Sequence, residues 1–299
     1  MQETLRASLV SVFSNSILVV IKLLVGIIAG SVSIISEAIH SGIDLVAALL
    51  AAFSIKEAAK PADDRHRYGH GKIENISGTI EALLIFVAAI WIIVEAVNKF
   101  SANEIKTELN WGIVVMLISS LVNYFVSGYL FKVSKKHESI ALEADAMHLK
   151  ADVYTSAGVL IGLILIKLTG YFWLDPIMAI IVALMIIKAA FDLTREAFLP
   201  LLDENLPQEE EQDIINIIKK YENEFLEFHK LRGRKSGSTR HIDLHLVVPR
   251  NQPVERAHSL SHQIINAIKL IYPNSEILVH IEPCRDDRCK GCEDCAVKN

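Results

Sequence analysis

Over the first two thirds of the chain, Leu, Ile, Val and Ala recur with little polar relief. Six such runs stand at roughly residues 7–30, 32–57, 75–99, 110–134, 139–169 and 172–196. Each is near or above the ~20 residues a helix needs to cross a bilayer. Between Ile17 and Ala29 the polar relief is Lys22 alone. The pattern predicts a six-transmembrane-helix domain over residues 1–203. The first run outlasts the apolar core of a secretory leader and lacks a small-residue cleavage pattern, so it reads as the first span.

After Asp203 the periodicity changes. Residues 207–222 alternate Ile with Glu and Lys at helical spacing and open on Pro207, which suits the first helical position. The stretch His241-Ile-Asp-Leu-His-Leu-Val-Val alternates as a strand, as does Glu276-Ile-Leu-Val-His-Ile-Glu282. With a strand at 224–233 and a helix at 252–271, the order is α-β-β-α-β. This predicts a small α+β domain, ferredoxin-like or metallochaperone-like, over 204–283, with a Cys-rich tail over 284–299.

Composition narrows the partners. The chain is 52% hydrophobic with a net charge of −5, and no Arg-rich reading surface points to nucleic acid. Lys and Arg concentrate in the loops after the second and fourth runs: Lys56, Lys60, Arg65, Arg67 and Lys72, then Lys132, Lys135 and Lys136. Basic loops belong on the cytoplasmic side. A multi-pass protein of the inner or plasma membrane is therefore expected, with both termini and the α+β domain in the cytoplasm.

Two polar phrases interrupt the apolar runs: Ser36-Glu37-Ala38-Ile39-His40-Ser41-Gly42-Ile43-Asp44 and Ala144-Asp145-Ala146-Met147-His148-Leu149-Lys150-Ala151-Asp152. Each holds a His and an Asp four residues apart, hence on one face of a helix. A lone pair of this kind would read as an interhelical hydrogen bond. Two pairs approach the midplane from opposite sides, each about eight residues, or ~12 Å, from the end of its run. They predict one four-ligand metal site of His40, Asp44, His148 and Asp152. Imidazole and carboxylate suit tetrahedral Zn²⁺, and two Asp charges match a divalent ion. Because the ligands must be deprotonated to bind metal and His titrates near neutrality, metal and protons should compete there. Glu37 and Asp145 fall on neighbouring faces as outer ligand-supporting or mouth groups, and Asn15 and Asn123 read as packing residues.

Three further groups could hold metal. Asp63, His66 and His70 crowd the loop between the second and third runs. The tail domain holds six of the chain's eleven histidines, among them His229, His245, His258 and His280, with Glu282 two positions beyond His280 on the same strand face. His241 and His262 have no assigned role. Cys284-x4-Cys289-x2-Cys292-x2-Cys295 has a thiolate spacing known from zinc and iron–sulfur sites. All four cysteines of the chain lie in that cluster, and in a reducing cytoplasm they would bind soft metal rather than form disulfides.

The six-helix body, the paired His-x3-Asp motifs, the loop Pro61-Ala-Asp-Asp-Arg-His-Arg-Tyr-Gly-His-Gly-Lys72 and the α-β-β-α-β tail together resemble the cation diffusion facilitator family of divalent-metal/proton antiporters. The resemblance covers nearly the whole chain. It implies a homodimer that exports Zn²⁺ or a related ion by alternating access against proton influx. It carries the transport site onto His40, Asp44, His148 and Asp152, and the loop site onto Asp63, His66 and His70. A binuclear cytoplasmic site, with Zn²⁺ in a structural role, falls on His229, His245, His258 and His280. Glu282 stands where bacterial relatives have Asp. A charge interlock maps onto Lys72 and Asp203. His40 replaces the Asp that many bacterial relatives carry, a change toward nitrogen that favours Zn²⁺ over harder ions such as Mn²⁺. Export of Fe²⁺, Mn²⁺ or Cd²⁺ is the alternative within the family, and a membrane-tethered metal sensor the alternative outside it. An enzyme is not expected, since the sequence has no His-Glu-x2-His metalloprotease motif.

Overall fold

The computed structural model describes residues 2–29, 32–101, 111–169, 171 and 173–284. Its first unit, Met1–Leu201, holds α1 (Gln2–Ala29), α2 (Val32–Ala58), α3 (Lys72–Ser101), α4 (Trp111–His137), α5 (Ile140–Thr169) and α6 (Leu174–Phe198). Among the described residues, five spans are long and apolar enough to cross a membrane: Gln2–Ile28, Ala38–Ala58, Lys72–Asn98, Met116–His137 and Pro176–Leu202. The exception is α5, whose first half carries Glu143, Asp145, Lys150 and Asp152. Those charges are tolerated because α5 is the central helix, packed against each of α1, α2, α3, α4 and α6.

The packing is inverted relative to a water-soluble bundle. Phe13, Ile28, Trp91 and Phe125 are 68%, 84%, 72% and 66% exposed. The interior combines large apolar side chains such as Ile85, Leu130, Leu142 and Leu149 with many small and polar ones, among them Ala48, Ala51, Ala89, Ala144, Ala190, Ser8 and Asn15. Small residues let helix backbones approach where lipid gives no hydrophobic drive for association. Gly158 on α5 shows how close the approach is, since a Cβ there would stand 2.7 Å from Val182 Cγ2 on α6. This is an integral membrane protein with six helices in its membrane domain.

The second unit, beginning at Leu202, contains α7 (Gln208–Lys219), β1 (Glu227–Ser236), β2 (Thr239–Val248), α8 (Val254–Ile271) and β3 (Ser275–Pro283), in the expected α-β-β-α-β order. In the sheet order β1-β2-β3, β2 pairs antiparallel with β1 and parallel with β3. Along β2, burial alternates strictly. Ile242, Leu244, Leu246 and Val248 form one core with Ile214, Ile217 and Ile218 of α7 and Leu260, Ile264 and Ile268 of α8. The odd-numbered β2 residues, His245 among them, therefore face the other side of the sheet.

An ion cluster fastens α7 to this sheet. The Arg240 guanidinium, buried under the Tyr272 ring, donates twice to Glu210, at 2.8 and 2.9 Å, and Lys235 reaches the same carboxylate at 2.8 Å. Burial works to raise the Glu210 carboxyl, but hydrogen bonds from Arg240 and Lys235 outweigh it and hold the group below its ordinary range. Stability from a depressed carboxyl is present above the ordinary carboxylate range and is lost as pH falls through the lowered value. Glu210→Gln is therefore expected to destabilise the tail unit at neutral pH. The gap to wild type should narrow steadily below about pH 4.3, read as hydrogen exchange on α7 across a pH series.

Candidate metal centre

The α2 and α5 motifs meet inside the membrane unit. His148 Nε2 and Asp44 Oδ1 are 3.0 Å apart, and ligand atoms of Asp44, His148 and Asp152 all lie within 4.8 Å of one another. His40 completes the set from the rim, its Nε2 4.0 Å from both Asp44 Oδ1 and Asp152 Oδ1. Ligand atoms around a tetrahedral zinc ion with ~2.0–2.1 Å bonds stand about 3.4 Å apart, so the 3.0 Å His148–Asp44 and 4.0 Å His40–Asp contacts lie on either side of that spacing. Their exposure is graded, with the His40 side chain 56% exposed and that of Asp44 6%. The site is open on one side and closed on the other.

Two residues outside the motifs support it. The Asn123 amide on α4, read above as packing, donates to Asp152 Oδ2 at 3.3 Å and orients that carboxylate. Lys22 on α1 is buried, and its ammonium donates to Ser41 Oγ, next to His40, at 2.8 Å. The only sequence signal for Lys22 was its isolation in an apolar run. Asp145 is buried one turn before His148, whereas the Glu37 side chain lies outside the described residues.

In the loop between α2 and α3, the Asp63 carboxylate accepts the backbone N–H groups of His66 and Arg65 at 2.6 and 2.9 Å. These bonds, the His66 one foremost, hold the Asp63 carboxyl below its usual range. Its oxygens lie 3.5 Å from His66 Nδ1 and 3.3 Å from His70 Nε2. Gly69, at φ +81°, makes the turn that folds His70 back. The three residues thus form one compact ligand set.

In the tail unit, strand register lines up three imidazoles. His229 pairs with His245, and His245 with His280, across β1, β2 and β3. Glu282 reaches all three, at 2.7 Å from His245 Nδ1, 3.6 Å from His229 Nε2 and 3.8 Å from His280 Nε2. The His245 hydrogen bond leads the effects that lower the Glu282 carboxyl. His258 is not brought to this cluster within one chain. It lies on α8, which packs on the opposite face of the sheet, and its ring stands 4.4 Å from that of His262.

The remaining expectations divide. Lys72 donates to the Leu201 carbonyl at 3.5 Å, and Asp203 accepts from Arg234 at 3.4 Å. Cys284 is buried, its N–H bonded to the Val248 carbonyl at the end of the sheet. Cys289, Cys292 and Cys295 lie outside the described residues.

A lipid-facing helical bundle with a His/Asp cluster at its centre, joined to a small domain with its own His/Glu cluster, defines a membrane protein built to handle cations. Two family matches agree with that class. The cation efflux transmembrane domain matches residues 8–202, and the cation efflux protein cytoplasmic domain matches residues 206–284. The chain belongs to the cation efflux, or cation diffusion facilitator, family, whose members are transporters.

An uncharacterized transporter of Synechocystis is 36% identical over 87% of this chain and 84% of its own length. The cation-efflux pump FieF of Citrobacter koseri is 31% identical over 93% and 92%. The solved structure of CzrB in its zinc form is 34% identical, covering 27% of this chain and 92% of that one, at a TM-score of 0.26.

Proposed function

We propose that this protein exports Zn²⁺ from the cytoplasm by alternating access, as a homodimer driven by inward proton movement. The observation that carries the reading is the intramembrane convergence of His148, Asp44 and Asp152, with His40 at 4.0 Å on the rim. Two carboxylates neutralise a divalent ion at low dielectric, and two imidazoles supply the nitrogen donors that zinc accepts. When zinc leaves, protons restore the neutrality that the metal provided, so the same four side chains couple the two flows. The similarity to the cation-efflux pump FieF supports a cation as cargo. The match of residues 206–284 to the cation efflux protein cytoplasmic domain, a dimerisation domain, supports the homodimer.

In this reading the basic loops face the cytoplasm, and so do Asp63, His66 and His70 and the tail unit. The His229, His245, His280 and Glu282 cluster holds zinc in a structural role. His258 joins it from a second copy. The Cys tail adds a soft-metal site.

The test is zinc uptake into proteoliposomes that enclose a zinc dye under an imposed pH gradient. Wild type should transport and Asp152→Ala should fall to the protein-free background; wild-type rates in the variant would contradict the four-ligand site. Selectivity has its own test. His40→Asp replaces nitrogen by oxygen and should admit Mn²⁺ and Cd²⁺ as stronger competitors of zinc, whereas an unchanged competition profile would refute the role given to His40.

A further inference from the structure

Two buried acids of the bundle are not among the four transport ligands. Asp145 on α5 and Glu81 on α3 are each 1% exposed. Gly78 of α3 is level with Ile140, the first residue of α5: a Cβ on Gly78 would meet Ile140 at 3.3 Å. Helices α3 and α5 are two apart in an alternating bundle and run the same way. Counting on at 1.5 Å per residue brings Glu81 and Asp145 to within ~3 Å of one depth. The Asp145 charge acts on Glu81. Both stand about one turn nearer the start of α5 than His148.

These acids are poor in partners. Neither Asp145 oxygen has a hydrogen-bond donor, nor does Glu81 Oε2; Glu81 Oε1 receives the Ser77 hydroxyl at 3.3 Å. The facing stripe of α1 supplies a separate observation. Ser11, 0% exposed, lies beside Asp145 without closing a well-formed hydrogen bond. Asn15, one turn further on the same α1 face and 2% exposed, has an amide nitrogen with no acceptor. A buried hydroxyl and two carboxylates with unsaturated oxygens are a donor set without its ligand. Carboxylates in such surroundings face a cation, a proton or an ion path.

We infer that Asp145 and Glu81, with Ser11, form a second cation station. It takes a divalent metal ion one helical turn to the loop side of the His40, Asp44, His148 and Asp152 quartet. Its donors are all oxygen, from the two carboxylates and the Ser11 hydroxyl. Such a set suits a hard divalent ion and holds zinc more loosely than the nitrogen-bearing quartet. An ion can therefore pause here and move on to the tighter site. This staging role rests on the transport reading; binding at the station does not.

Mn²⁺ is the probe, because its pulsed electron paramagnetic resonance reports directly bound nitrogen. The quartet, the loop set and the tail cluster all contain His, so Mn²⁺ held there shows nitrogen couplings. Full-length wild type in detergent should bind one further Mn²⁺ per chain without nitrogen couplings. That population should be lost in Asp145→Asn/Glu81→Gln, and its affinity should fall at least tenfold in each single variant. The single variants give the reading if the double variant does not fold. An unchanged nitrogen-free population in the variants, or none in wild type because the acids hold only protons, would overturn the station. The zinc flux assay separates the two ideas. Mn²⁺ binding that depends on Asp145 in a protein without zinc flux would sink the transport reading alone. Zinc flux together with Mn²⁺ binding indifferent to both acids would sink the station alone.

Discussion

Asp44→Ala should reduce zinc affinity at the intramembrane site by more than the ~10–100-fold typical of changes to outer supporting groups, and abolish transport. Asp44 has this weight because of where it sits. It is the most buried member of the quartet, it stands 3.0 Å from His148 Nε2, and it faces His40 at 4.0 Å. Removing it takes away half the negative charge that balances a divalent ion and strands His148 in the bundle interior. Breaking a buried, paired charge on one side costs about 3–5 kcal/mol, so some loss of folded protein should accompany the loss of binding. Asp44→Asn separates the two effects, since it keeps the shape and a hydrogen-bond acceptor while removing the charge. Calorimetric zinc titration of both variants reads the result. Wild-type affinity in Asp44→Asn would mean that charge balance does not govern the site.

The second large effect is expected in the tail unit. Glu282→Ala should eliminate the stabilisation of this unit by zinc. Among the described residues, Glu282 is the one carboxylate within reach of His229, His245 and His280 together. A ligand that binds only the folded state stabilises it by about 2.7 kcal/mol at a hundredfold excess over Kd. Thermal unfolding followed by hydrogen exchange of β1–β3, with and without zinc, should show a zinc-dependent shift in wild type and none in Glu282→Ala. Equal shifts in both proteins would remove the metal from the tail's stability.

The helices were legible because a bilayer-length apolar run is a local signal, and even α5 was found despite its charges. What the sequence could not show was why those charges are tolerable, since the central place of α5 follows from packing against five other helices. Spacing made His40, Asp44, His148 and Asp152 readable, because each pair lies on one helix face. Asn123 and Lys22 were not assigned to the site, because their importance depends on which helix face meets α5 and α2. Glu81 carried a weak signal, an acid well inside an apolar run, and its level with Asp145 appears only once Gly78 is seen against Ile140. In the tail, alternation identified the strands, but register alone aligns His229, His245 and His280. The same pairing information leaves His258 beside His262 on α8.

The central claim is that one site exchanges zinc for protons. Its most direct test records zinc and pH together in sealed proteoliposomes of wild-type protein. Zinc entering the vesicles should be accompanied by protons leaving them, and zinc flux should rise as the opposing proton gradient is steepened. Zinc flux that ignores the gradient and moves no protons would contradict the exchange.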